Sequence, residues 1–183
     1  MTRIRRTTTG TIAVTLSDDE FIALTRLEAD LLGTLADRLR ALADGNVVPS
    51  PLFPDAYDDD EEASAEFHSL TDVDLVSGKS EGARGVMDAF MDAEPQASGA
   101  LWRGKETRTA DFDDEQVHAL LRNLTDLRLL LADRLAIEHD GDNGLVGPEH
   151  DLDRALYWWL GETQERLVLT LSRAFDGARY PHA

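Results

Sequence analysis

The stretch DDEQVHALLRNLTDLRLLLADRLAIE, residues 113–138, decides the fold class. Val117, Leu120, Leu121, Leu124, Leu127, Leu131 and Leu135 recur at steps of three and four residues. That spacing gathers them on one stripe of a helix with about 3.6 residues per turn. Asp113, Asp114 and Glu115 stand at its start, where carboxylates meet the positive end of the helix dipole. The stretch reads as a helix over 113–138 with one face in a core.

A second copy lies upstream. Residues 21–39 align with 117–135 at a constant shift of 96. Leu24/Leu120, Arg26/Arg122, Asp30/Asp126, Leu31/Leu127 and Leu35/Leu131 are identical, and Ala36-Asp37-Arg38-Leu39 returns as Ala132-Asp133-Arg134-Leu135. The echo reads as a duplicated strand–helix unit with pseudo-twofold symmetry, although leucine-rich amphipathic helices also resemble one another by chance. The first copy predicts a helix over 17–44. Ser17 caps it, with Glu20 three residues on, and Gly45-Asn46 closes it. Before it, Ile4, Ile12, Val14 and Leu16 alternate with polar residues around Gly10, which predicts a hairpin over 3–16.

The remaining segments are less regular. Pro49, Pro51, Pro54 and the acids from Asp58 to Glu62 mark an acidic, proline-containing loop over 45–65, with Leu52, Phe53 and Tyr57 as apolar anchors. Residues 66–92 read as short helices broken near Thr71: Phe67 and Leu70 belong to the first, and Val86, Met87, Phe90 and Met91 face inward on the last. A second hairpin is expected over 100–110, around Ala100, Trp102 and the Thr107 to Thr109 segment. The last helix is expected over 151–176. Its apolar residues, Leu152, Leu156, Trp159, Leu160, Leu167, Val168, Leu171 and Phe175, cover so wide an arc that it reads as central to the core or as a subunit contact. The expected fold is one domain over 1–183: mainly α, a four- to five-helix bundle with a small antiparallel β-sheet from short hairpins.

Composition narrows the function. The chain has 183 residues, 36 acidic against 18 Lys and Arg, and a net charge of −18. Such a surface repels nucleic acid backbones and anionic lipid and suits a basic partner. With no cysteine, disulfides, thiolate nucleophiles and zinc–thiolate sites are excluded. No run approaches the roughly 18 apolar residues of a membrane helix. The amino terminus is basic without an apolar stretch behind it, so the cytoplasm is the expected location.

The chain shows no serine elbow, phosphate loop or dinucleotide fingerprint. His68, His118, His139, His150 and His182 are scattered, with no pair at the four-residue spacing of helix-borne ligands. Glu138, Asp140, Asp142 and Glu149 fall at four of the acidic positions of a calcium loop, but Asn143 stands where the turn requires glycine. A flexible acidic connector is the better reading. Glu162 and Glu165 are paired carboxylates with no cleft to split their pKa values. No catalytic residue, cofactor or metal ligand is therefore assigned, and an enzyme without a recognised motif is an alternative only.

Partner contacts are easier to place. Tyr157 and Trp158 lie in the densest aromatic cluster, Leu156-Tyr157-Trp158-Trp159-Leu160, and one of them must face outward because consecutive helical positions lie about 100° apart. Arg128 joins them as a candidate contact. Arg3, Arg5 and Arg6 form the dense basic patch that a DNA-binding alternative requires, against the charge of the remainder. A homodimer is compatible with either reading.

Four segments carry a family resemblance: Pro-Asp-Ala-Tyr (54–57) followed by acids, EFHSLTDVDLVSGK (66–79), LTDLRLLLADRLAI (124–137) and YWWLGETQERLV (157–168). In order and spacing they resemble the actinobacterial domain-of-unknown-function family 2017, over about residues 10–176. Thr125 stands where the family usually has Asn, Thr163 where it has Leu, and His68 where an arginine is common. The family includes an oxidative-stress transcriptional regulator that senses oxidants through a cysteine pair and works with RNA polymerase and a sigma factor. Without cysteine, disulfide sensing cannot operate here. The resemblance still implies a non-enzymatic helical protein acting through partners, in transcription or stress control, with RNA polymerase or a sigma factor as the expected partner and a Clp-type protease component as a rival.

Overall fold

In the computed structural model, Ser17 and Asp113 open the two echoing helices alike. Ser17 Oγ accepts the Glu20 amide N–H at 3.3 Å, while the Ser17 amide donates to Glu20 Oε2 at 2.8 Å. Asp113 and Gln116 make the same exchange, at 2.9 Å in each direction. Reciprocal caps of this kind satisfy donors that a helix end otherwise leaves without partners. Helix α1 follows over Asp18–Ala43 and α3 over Asp114–Arg134. The structure describes residues 2–45, 50–57, 59–97, 106–139 and 141–179, with side chains of the last helix to residue 172.

Strands β1 (Arg3–Arg6), β2 (Ile12–Ser17), β3 (Gln96–Ala97) and β4 (Glu106–Phe112) form one antiparallel sheet in the order β1-β2-β4-β3. Val14 pairs with Ala110 at the centre. These two residues are separated by the same shift of 96 that relates the helices. A pseudo-twofold axis therefore passes between them. The register of the sheet and the echo of the helices agree, which supports duplication over chance resemblance. Each half is a hairpin followed by two helices.

The hairpin over 3–16 and the first long helix stand as expected. The second hairpin differs in its parts. Its main strand is β4, its partner is β3, and β4 also joins β2, so both hairpins share one sheet. Ala100 and Trp102 lie outside the described residues.

The segment 66–92 is corrected most. It belongs to one continuous helix, α2, over Glu61–Met91, capped by Asp60, whose side chain accepts the Ala63 amide at 3.0 Å. The acidic loop thus ends at residue 60 instead of 65. The buried face of α2 runs Ser64, His68, Asp72, Val76, Ala83, Val86, Phe90. Its first three members are polar, so apolar periodicity is missing where the helix begins. Met91 is exposed instead of inward, and Phe67 and Leu70 are exposed as well.

Helix α3 ends at Arg134, short of 138. Ala136 takes φ +50°, and the Leu145 amide donates to the Leu135 carbonyl at 2.6 Å, turning the chain away. A short 3-10 turn, Pro148–His150, leads into α4, Asp151–Arg179, three residues longer than expected. Helix α4 is not central. Leu160 and Leu167 are buried, but Leu152 and Val168 face solvent.

The described residues thus contain four α-helices and a small sheet. Ile12, Val14, Leu16, Ala110 and Phe112 pack with leucines of α1 and α3 and with Val76, Ala83, Val86 and Phe90 of α2. Leu31 and Leu127, equivalent positions of the two halves, are both fully buried. Leu31→Asp or Leu127→Asp should abolish cooperative folding, because an unpaired buried carboxylate costs several kcal/mol. A thermal melt checks this; an unchanged midpoint would refute the core assignment.

Candidate functional site

Two helices bring the expected partner residues together. Arg128, on α3, donates from Nη1 to Gln164 Oε1 at 2.9 Å and from Nη2 to the Tyr157 hydroxyl at 3.3 Å. Its guanidinium carbon lies 4.9 Å from the Tyr157 ring centroid, a cation–π distance. Trp158 meets Tyr157 edge-on at 5.9 Å and is 63% exposed. Arg128 thereby fixes Tyr157 and leaves Trp158 outside. A notch of about 100 Å³ opens here, against the loop bearing Ile137 and His139. Trp159 turns inward, where its Nε1 donates to Thr2 Oγ1 at 2.8 Å and ties α4 to the amino terminus. Arg3, Arg5 and Arg6 lie exposed on edge strand β1, far along the chain from these aromatics. Strand alternation sends Arg6 to the face opposite Arg3 and Arg5, so the basic patch is divided.

A buried ionic cluster joins α1, α2 and the proline loop. Arg38 Nε donates to Asp72 Oδ2 at 2.7 Å, and its Nη2 lies 2.5 Å from the same oxygen. His68 bridges Asp72 Oδ1 at 3.0 Å through Nδ1 and Asp55 Oδ1 at 2.9 Å through Nε2. Burial opposes the charge on His68, but the hydrogen bonds to Asp55 and Asp72 outweigh it, and its pKa is raised. Phe53 packs under the Arg38 guanidinium, at 4.9 Å. Ser64 holds the loop's end by donating to the Tyr57 carbonyl at 2.8 Å. Only Asp55 reaches solvent, so this cluster positions the loop and offers little surface for chemistry.

A second polar group lies deeper. Glu28 of α1 is fully buried and accepts from Asn123 Nδ2 at 3.1 Å; Glu28 Oε1 and Asn123 Oδ1 have no hydrogen-bond partner. Burial, with Asp126 nearby, pushes the Glu28 carboxyl up to about 8, against the smaller opposing effect of Asn123. It is therefore mostly a neutral acid at pH 7. Lys79 Nζ donates to Asp126 Oδ1 at 2.6 Å beside it. Above Asn123 a cavity of about 410 Å³ opens between α2 and α3. Gly78 and Gly82 line it, and a Cβ built on either meets nothing within 4 Å. Glycine inside a helix costs about 1 kcal/mol against alanine. Neither backbone strain nor crowding within the chain explains these two.

The other sequence candidates separate. His118 and His139 are exposed, His150 faces Glu149 at 3.6 Å, and His182 lies outside the described residues. Asp142 accepts the Gly144 and Glu138 amides at 3.0 and 3.1 Å, which lowers its pKa and commits its carboxylate to the backbone. Asp140 lies outside the described residues. Glu162 pairs with Arg166 at 2.7 Å, and Glu165 is exposed. Among the described residues no three His, Asp or Glu side chains are grouped to hold a metal ion, and no helix is long and apolar enough to cross a membrane. Sequence reading missed Glu28, Arg38, Asp72, Lys79 and Asn123. The signal for Asp72 was the four-residue step from Ser64 through His68 to Val76. Glu28 gave a weaker one, a lone acid on a leucine stripe.

Fold and site together define a small, acidic, mainly helical protein with buried polar groups between its helices and an exposed tryptophan on the last of them. It belongs to the family described as Domain of unknown function (DUF2017), whose model matches residues 1–171. No curated protein and no solved structure matches the chain.

Glu28 makes stability pH-dependent in a defined sense. Its folded pKa is raised, so its contribution is full below about 4.5 and is lost as pH rises through about 8. Glu28→Gln should remove that loss. The variant should gain on the wild type across this window, by on the order of a few kcal/mol at the alkaline end. Urea midpoints at intervals from pH 5 to 9 check it; parallel curves would refute it.

Proposed function

We propose that the chain is a non-enzymatic cytoplasmic protein that acts by binding another protein, and that this partner is RNA polymerase or a sigma factor in transcriptional or stress control. The observation that carries the binding surface is Trp158, exposed beside a Tyr157 that Arg128 holds in place. Trp, Tyr and Arg are the residues that dominate binding energy at protein interfaces. Leu145, Val146 and Leu152 add exposed apolar area just before and at the start of α4. The net charge of −18 favours a basic surface on the partner and speeds its approach. The choice of the transcription machinery follows the family resemblance.

The divided arginines of β1 and the overall charge make direct DNA binding the weaker reading. The test is binding of the purified chain to RNA polymerase core and to separate sigma factors. Wild type should bind one of them, and Trp158→Ser should weaken that binding at least tenfold while melting within about 2 °C of wild type. Equal binding by the variant would remove the surface. No binding to either target, or self-association alone, would remove the transcriptional reading.

A further inference from the structure

We propose that the exposed face of α2 over residues 66–74 is a second docking surface, and that its occupant is a basic amphipathic helix of a partner protein, with an apolar residue on Leu70 and lysine or arginine beside Glu66 and Asp74. This does not rest on the aromatic surface of α4. Helix α2 packs against α1, α3 and the sheet, and α4 packs against α3 and β1.

The first observation is an inversion. Helices α1 and α3 bury their leucine stripes. The first part of α2 does the opposite: Ser64, His68 and Asp72 are buried, while Phe67, Leu70 and Val73 stand 37%, 72% and 55% exposed. Leu70 is two residues from both His68 and Asp72, which places it about 200° round the helix from each. Single exposed apolar residues are ordinary, but three at successive three-residue steps make a ridge. The ridge cannot turn inward to escape water. Arg38 holds Asp72 at 2.5 Å, and His68 bridges Asp72 and Asp55, so rotating α2 would break the buried ionic cluster. The fold thus fixes an apolar ridge at the surface, a costly arrangement unless something outside the chain covers it.

Charge selects the occupant. Glu66 and Asp74 lie four residues before and after Leu70, one turn to either side, and both are exposed. Asp60, Glu61 and Glu62 have a use within the chain, as cap and first turn of α2 at the positive end of its dipole. Glu66 and Asp74 lie beyond that turn. No Lys or Arg occurs between residues 41 and 78, and His68 is buried among its own partners. The ridge therefore has an anionic rim with no cation from its own helix segment. A helix with apolar residues at three- and four-residue steps and cations beside them matches both features. A second copy of this chain does not: a twofold contact through Leu70 would set Glu66 and Asp74 against the same carboxylates of the copy.

The experiment titrates three short synthetic peptides into the full chain at physiological salt and follows amide NMR shifts. One is an amphipathic helix of leucine and lysine, one has glutamate in place of lysine, and one has serine in place of leucine. The leucine–lysine peptide should shift amides around Phe67, Leu70 and Val73 and bind at least tenfold more tightly than either of the others. Leu70→Ser should lower its affinity at least tenfold while melting within about 2 °C of wild type, because the side chain is already in water. Should that variant fold poorly, Val73→Ser serves, with a smaller but measurable loss. Glu66→Gln combined with Asp74→Asn should weaken binding at least threefold and flatten its salt dependence. Equal affinity for the serine–lysine peptide would overturn the proposal, since general attraction to an acidic chain would then suffice. So would shifts centred on α4, binding unchanged in both serine variants, or no binding by wild type. Self-association of wild type that Leu70→Ser abolishes would also overturn it, by making a second copy the occupant.

Discussion

The pairing of Arg38 with Asp72 is the constraint on which the first half of the molecule depends. Helix α2 begins with a polar buried face, and such a face can be buried only if each polar group finds a partner. Arg38 reaches both Asp72 and His68, and His68 passes the connection on to Asp55 in the loop. Four residues thereby lock three segments that apolar packing alone would leave loosely defined. Phe53 and Leu52 then fill the space beneath. Past Val76 the face of α2 becomes apolar, and contact with the sheet and α3 is made by Ala83, Val86 and Phe90. The ionic cluster decides where α2 starts; the apolar residues decide where it rests.

Both halves of the duplicated unit use the same strand, cap and leucine helix, but they have diverged in what they bury. Position 28 in the first half is a glutamate, and its equivalent in the second is Leu124. Asp30 and Asp126 are equivalent acids with different partners, Arg134 for one and Lys79 for the other. Such asymmetry concentrates polar groups between α2 and α3. There Asn123, Lys79 and Asp126 line a space beside Gly78 and Gly82, and Glu28 of α1 lies against Asn123. The α4 side is different in kind. Arg128 and Tyr157 are ordered by each other, and Trp158, in edge contact with the Tyr157 ring, stays largely exposed. The polar groups are thus buried among α1, α2 and α3, and the aromatic cluster lies at the surface of α3 and α4.

Much of the architecture was legible because two helices carry unbroken leucine stripes and strong caps. Ser17 with Glu20, and Asp113 as a cap, mark boundaries that the structure places within a residue or two. Helix α2 was not legible, because Ser64, His68 and Asp72 replace the apolar residues that reveal a buried face, and Gly78 and Gly82 resemble a break. The end of α3 was missed because the residue that stops it, Ala136, is ordinarily a good helix former; tertiary contact to Leu145 overrides propensity. For the site, helical spacing alone says that Tyr157 and Trp158 cannot share a face, but it does not bring Arg128 of α3 against Tyr157 of α4. The Glu28–Asn123 pair was equally out of reach, since it depends on how α1 and α3 pack. His68 had been set among the scattered histidines. Only the fold sets it between Asp55 and Asp72.

The stability of Asp72→Ala tests the central role of this cluster most directly. Removing one partner of a buried ion pair leaves the other charge without compensation and typically costs about 3–5 kcal/mol. The account predicts a loss of roughly that size in urea unfolding, accompanied by new exposure of the Phe53 loop in hydrogen exchange. A variant within about 0.5 kcal/mol of wild type, with the loop still protected, would contradict it and place the weight of the α1–α2 junction on apolar packing instead.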